Sequence, residues 1–169
     1  FHAFAAQILR REAERLTVSR DFVIFDEADQ QAATRQAIKE LHLDPKQVQP
    51  AKIQAAFSSA KNELIGPEEF ARDTYFHEVA RRVYQRYEQI LQANNALDFD
   101  DLLLWAVRLL REHGDILQRY RARYQRILVD EFQDTNAAQY VLLRLLAGEN
   151  PDLFVVGDAD QSIYRWRGA

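Results

Sequence analysis

The feature that most constrains this chain is a strand–helix–strand rhythm close to its C-terminal end. Arg126–Val129 reads as a short apolar strand, Thr135–Ala147 has helical periodicity, Gly148 closes that helix, and Leu153–Val156 is an apolar strand again. Two strands joined through a helix belong side by side in a parallel sheet, because only a crossover of that kind returns the chain in the same direction. Each strand then runs into acidic and amide residues. The first reads Ile127-Leu-Val-Asp-Glu-Phe-Gln-Asp-Thr-Asn136 and the second Val155-Val-Gly-Asp-Ala-Asp-Gln-Ser-Ile-Tyr-Arg-Trp-Arg-Gly168. This is how an α/β sheet presents a magnesium–nucleotide site.

Upstream the pattern is different. His2–Leu16 is amphipathic, Phe22–Phe25 is a strand candidate, and Asp26 is placed to cap a helix running to about Leu43. Asp44-Pro45 and Gln49-Pro50 restart helices, and Ala51–Ile65 is helical up to the Gly66-Pro67 breaker. Pro67-Glu-Glu opens another helical stretch. Asp73–Gln92 follows, with Phe76, Val79, Val83, Tyr87, Ile90 and Leu91 on one face, and Asn94-Asn95 ends it. Asp98 caps a helix through Arg111, with Asp101 in the capping-box position and Phe99, Leu102, Leu103, Ala106, Leu109 and Leu110 as its core stripe. His113-Gly114 stops it, and Asp115 restarts a short helix. The expected fold class is therefore α/β but mostly helical. Residues 1–26 and 98–169 form parts of one parallel-sheet domain, and 27–97 form an all-helical inserted subdomain.

Composition narrows the function. A hydrophobic share of 47% with 28% charged residues is that of a globular chain. No apolar run approaches the roughly 20 residues of a membrane span, and no signal-peptide pattern opens the chain. With no cysteine there are no disulfides or thiolate metal sites, which fits a cytoplasmic location. A net charge of −4 excludes a wholly basic DNA-coating protein. Leu117–Arg126 nevertheless holds four arginines and no acid, read as a solvated helix face with phosphate contact as the alternative. The chain contains no methionine, and both ends look cut, as in a piece of a larger protein.

Asp130 and Glu131 are the centre of the chemistry. Adjacent residues at a strand end point in different directions, so one carboxylate can hold Mg²⁺ while the other orients and deprotonates an attacking water. Helix capping or plain solvation is the competing reading, and the continuation through Gln133, Asp134 and Thr135 favours the chemical one. Gly157 lets the chain turn out of the sheet. Gln161 has the reach to touch a terminal phosphate, whereas Asp158 and Asp160 suit a helix cap. Tyr164 and Trp166 can stack on bases without sequence preference, with Arg165 and Arg167 on phosphates, although Tyr164 could equally be a core residue. Asp26-Glu-Ala-Asp29 also follows an apolar strand, but helix upon helix comes after it, so Asp26 reads as a cap. The four histidines have no metal-ligand spacing.

Residues 127–136 and 155–169 resemble motifs II and III of superfamily 1A DNA helicases of the UvrD/PcrA/Rep type. Phe1-His2-Ala-Phe4 resembles the end of that family's Thr-Phe-His DNA-contacting motif. Ala60–Ile65 with Pro67–Phe70, and Leu97–Leu103, are also similar to the family, so the resemblance spans the chain. It implies part of a RecA-like P-loop NTPase domain (1A) with its helical insert (1B), from an ATP-dependent 3′–5′ translocase that acts on single-stranded DNA and on junctions with duplex. On this resemblance Asp130 binds Mg²⁺, Glu131 is the general base, and Gln133 and Gln161 contact ATP, Gln161 sensing its γ-phosphate. Trp166 stacks a base beside Tyr164, Arg167 links the DNA and nucleotide sites, and Phe1 and His2 line the strand's path. The motor of a recombination helicase–nuclease has similar motifs, and an autonomous helical DNA- or protein-binding module is the reading from another class. No Gly-x-x-x-x-Gly-Lys-Ser/Thr loop occurs and no second RecA-like domain follows, so these 169 residues alone are expected to hydrolyse no ATP.

Overall fold

A computed structural model describes residues 1–44, 48–149 and 152–158. Among the described residues seven α-helices and four short strands follow in order: α1 (His2–Arg11), β1 (Val23–Phe25), α2 (Glu27–Glu40), α3 (Pro50–Asn62), α4 (Tyr75–Ala93), β2 (Ala96–Asp98), α5 (Phe99–Glu112), α6 (Gly114–Arg123), β3 (Ile127–Val129), α7 (Ala137–Ala147) and β4 (Leu153–Val155). The strands form two parallel pairs. β1 runs beside β2 in the register Val23↔Ala96 to Phe25↔Asp98, and β3 runs beside β4 in the register Ile127↔Leu153 to Val129↔Val155. The chain is thus mostly helical α/β with small parallel sheets, as expected. The β2 strand was not anticipated.

Helix starts follow the capping chemistry of the sequence. Asp26 accepts the Asp29 N–H while Asp29 accepts the Asp26 N–H, a reciprocal box opening α2. Asp98 and Asp101 repeat the arrangement at α5, and Asn136 and Gln139 at α7. Pro50 occupies the first turn of α3, where its missing N–H has no intrahelical partner to lose.

Helix ends differ from expectation. α2 stops at Glu40 and α3 at Asn62, short of Leu43 and Ile65. Each closes by a Schellman motif on a residue other than glycine. His42 (φ 54°) and Leu64 (φ 64°) take the left-handed conformation, while Leu43 N–H reaches Ile38 O and Ile65 N–H reaches Ala60 O. α1 ends at Arg11, and a tight 3₁₀ turn, Ala13–Arg15, replaces its expected last turn. The adjoining Glu12 is buried, its carboxylate accepting from Arg119 and from the Tyr120 hydroxyl. Pro67-Glu-Glu forms turns instead of a helix. Gly66 N–H donates to the Glu69 carboxylate, Phe70 is buried against Tyr84, and α4 starts only after Thr74, whose hydroxyl caps it. Phe76 and Phe99, expected in the core, are 41% and 49% exposed.

Two apolar cores result. One gathers α1, α5, α6 and α7 around Leu9, Phe22, Leu103, Leu110 and Leu142. The other gathers α2, α3 and α4 around Ile38, Phe57, Val83 and Tyr87, where Phe57 lies between Tyr84 and Tyr87 with ring centroids 5.3 and 4.7 Å away. Each large apolar side chain buried this way contributes about 1.5–3 kcal/mol.

Between the cores sits a charge cluster. Lys61, on α3, is fully buried with its Nζ 2.7 Å from Glu88, 2.7 Å from Asp98 and 2.6 Å from Asp101. Burial alone would lower the Lys61 pKa, but the three carboxylates outweigh it and hold the ammonium charged well past its ordinary range. One cation cannot satisfy three buried acids equally. Asp98 resists the upward push of burial through Lys61, the Asp101 N–H and the Tyr87 hydroxyl, and its pKa falls below the usual value. Asp101 is pushed well upward by burial and then by the Asp98 and Glu88 charges. Glu88 is raised by burial, which Lys61 only partly offsets.

Candidate functional site

β3 ends at Val129, whose side chain is buried, and the next two residues are exposed. Asp130 accepts the Glu131 N–H at 3.0 Å. Glu131 adopts φ 53°, ψ 42°, a left-handed conformation that non-glycine residues avoid and that is enriched where function requires it. The turn that follows is well braced. Phe132 N–H donates to Val156 O at 3.0 Å, and Asp134 N–H donates back to Glu131 O at 3.0 Å. Gln133 donates to the Glu131 carboxylate at 2.6 Å and accepts the Asp158 N–H at 2.9 Å. The helical cap comes only at Asn136, so neither Asp130 nor Glu131 is used to start α7.

Gly157 also has a reason to be glycine, though not the expected turn. A Cβ there would sit 2.7 Å from the Gln133 side-chain oxygen and 3.2 Å from the Gln133 nitrogen, so the position needs room for the neighbouring turn to approach. Gln133 therefore bridges the ends of both strands, holding Glu131 on one side and the Asp158 backbone on the other.

Of the expected DNA-contacting residues, Phe1 lines an open groove of about 430 Å³ together with Asp130, Leu128, Arg126 and Tyr124. His2 lies elsewhere, edge-on to Phe99 with centroids 6.1 Å apart. Burial lowers its pKa from the ordinary histidine value. Gln161, Tyr164, Trp166 and Arg167 lie outside the described residues. The arginine run is largely solvated, as expected, with Arg119, Arg123 and Arg126 exposed, and it also makes contacts within the fold. Arg119 pairs with Glu12 at 3.0 Å, Arg121 donates to the last turn of α7 at Leu145 O, and Arg126 lies 3.6 Å from Asp152.

The donor set fits magnesium rather than a protein-caged metal. Among the described residues no group of three or more histidines or acids is placed to hold a metal ion, and the three acids that do converge share the Lys61 ammonium. A strand-end aspartate in the open is what Mg²⁺ uses when water and phosphate oxygens supply the rest of its shell. What the residue pattern did not reveal is a polar chain behind the turn, in which Ser58, Asn62, Asp100 and Asn136 are joined by hydrogen bonds. The stretches of Asn62, Asp100 and Asn136 carry the family resemblance, but nothing in their spacing announces that they meet.

Residues 1–169 match the family described as UvrD/REP helicase N-terminal domain, and the chain belongs to that family. It is 46% identical over 171 aligned residues to the ATP-dependent DNA helicase PcrA of Bacillus subtilis, and 42% identical to the proteins of the same name from Leuconostoc citreum and Staphylococcus aureus. In each case all of this chain is covered but only 23% of the relative, so the chain spans about a quarter of their length.

Proposed function

We propose that this chain is part of the motor of an ATP-dependent DNA helicase that moves 3′–5′ on single-stranded DNA and opens junctions with duplex. Residues 1–26 and 98–169 belong to its first RecA-like domain, and 27–97 to a helical insert. The separate α2–α4 core supports that division, but Ala96 and Leu97 pair with β1 as part of β2, so the insert is better ended at about residue 95. The observation that carries the reading is the exposed Asp130-Glu131 pair at the end of β3, its second member held left-handed and braced by Gln133.

In this reading Asp130 holds the magnesium of Mg–ATP. Bound there, the ion neutralises charge developing on the transferred phosphoryl group. Glu131 accepts the proton of the attacking water, and Gln133 restrains its carboxylate so that it faces that water rather than bulk solvent. Gln161 senses the terminal phosphate. Trp166 and Tyr164 stack on bases, Arg167 connects the two sites, and Phe1 and His2 lie along the strand. The location is cytoplasmic, and among the described residues no helix is long and apolar enough to cross a membrane.

The test is DNA-stimulated ATP turnover in a full-length helicase carrying this segment. Glu131→Gln is expected to reduce turnover by about 10²–10⁴-fold, the usual contribution of a general base, with DNA binding retained. Turnover close to wild type would refute the assignment. The 169 residues alone are expected to give none.

A further inference from the structure

Asn62 ends α3 and Asn136 caps α7, 74 positions later, and their side-chain amides are hydrogen-bonded to each other. The sense of the pair is fixed. Asn136 Oδ1 accepts the Gln139 N–H at 2.9 Å, so its Nδ2 faces Asn62 and donates to Asn62 Oδ1. Asn62 Nδ2 in turn donates to Ser58 O at 2.9 Å and to Asp100 Oδ1 at 3.1 Å, and the Ser58 hydroxyl donates to Asp100 Oδ2 at 2.6 Å. Every polar atom of the Asn62 amide is engaged, and a rotation of that amide by half a turn would break the three bonds it makes, to Ser58 O, Asp100 and Asn136.

The neighbouring residue explains why Asn62 is a firm anchor. Lys61 is locked among Glu88, Asp98 and Asp101, so the end of α3 cannot slide along α5 without separating buried charges. On the other side, Asn136 terminates the turn that begins at Glu131. That turn is tied to the sheet at one end, by Phe132 N–H to Val156 O, and to α3 at the other, by Asn136. A left-handed glutamate between two such ties has its direction set by both of them.

We propose that Asn62, held by Asp100, is a positioning residue for Glu131. It fixes Asn136 and thereby the 131–136 turn, and it transmits a displacement of the α2–α4 helices to the strand-end carboxylates. The inference rests on Glu131 being the general base.

The decisive variants separate capping from the amide pair. Asn136→Ser keeps a capping side chain for α7 but cannot reach Asn62, and Asn62→Ala leaves the cap untouched. Asn62→Asp loses the donor and sets a carboxylate against that of Asp100. Each is measured in a full-length helicase carrying this segment, by DNA-stimulated ATP turnover with kcat and KM for ATP resolved, beside Glu131→Gln. Asn62→Ala and Asn136→Ser are expected to lower kcat roughly ten-fold with KM nearly unchanged, because a small misplacement of the base acts on the transition state. Asn62→Asp is expected to lower it further. If Asn62→Ala does not fold, Asn136→Ser decides alone. Should both asparagine variants keep kcat within about two-fold of wild type while Glu131→Gln stops turnover, the inference is wrong and the role of Glu131 stands. Should Glu131→Gln turn over like wild type, both fall together.

Discussion

Three strands in this chain lead into an aspartate, and the three aspartates have different fates. β1 leads into Asp26-Glu27 and β3 into Asp130-Glu131, the same dipeptide after the same kind of apolar run, while β2 ends in Asp98. Asp26 and Asp98 are each followed three residues later by another aspartate, and each forms a reciprocal capping box that starts a helix at once. After Asp130 the helix is postponed to Asn136, and the intervening turn leaves both carboxylates exposed. The difference teaches that an acidic strand end is not itself a site. What marks β3 is that its acids are excused from capping, because a later asparagine takes over that work.

This comparison can be tested by removing each aspartate in turn. Asp98→Ala should have the largest effect on stability, about 3 kcal/mol. It deletes a cap and one of the three counter-ions of buried Lys61, although Asp101 and Glu88 can take up part of the lost charge. Asp26→Ala should cost about 1 kcal/mol, the ordinary worth of an exposed N-cap. Asp130→Ala should stay within about 0.5 kcal/mol of the parent, as expected for a surface residue outside such features. Urea midpoints of the three variants measure the gradient, and a cost at Asp130 equal to that at Asp26 would erase the distinction.

The glutamates sharpen it further, because the sign should reverse. Glu131→Gly should stabilise the chain by up to about 1 kcal/mol by relieving a left-handed backbone. Glu27→Gly, in the first turn of α2, should destabilise it by up to about 1 kcal/mol. The smallest effect concerns pH. The Glu88 pKa is raised in the folded chain, so its stabilising contribution is complete below the unfolded value of 4.5 and is lost as pH rises through the folded one. Glu88→Gln, whose oxygen can still accept from Lys61, should flatten the fall in urea midpoint between mildly acidic and neutral pH. An unchanged slope would place that fall elsewhere in the cluster.

The parts of this fold legible in the sequence are those written in local chemistry. The Asp-x-x-Asp boxes gave two helix starts, and the strand–helix–strand rhythm gave the β3–β4 pair. Helix ends were read too long where His42 and Leu64, rather than glycines, turn left-handed, since neither advertises that conformation. β2 carries no period of its own, because it is three residues long and its last residue, Asp98, is already the cap of α5. At the site, Asp130 and Glu131 stood out by position. The brace from Gln133 and the reach of Asn62 to Asn136 depend on distant segments meeting, which no spacing encodes.

The pairing of Val23 with Ala96 has a consequence for how the chain reaches its fold. The unfolded polymer must close a loop of about seventy residues before β1 and β2 can bond. That entropic penalty grows only with the logarithm of loop length, and doubling the excursion would add about 0.6 kcal/mol. The closure itself therefore tolerates added helix between these strands, provided that buried Lys61 keeps its partners Asp98 and Asp101. Kinetically the same closure acts as a brake, because a pairing between residues so far apart in the chain is slow to form.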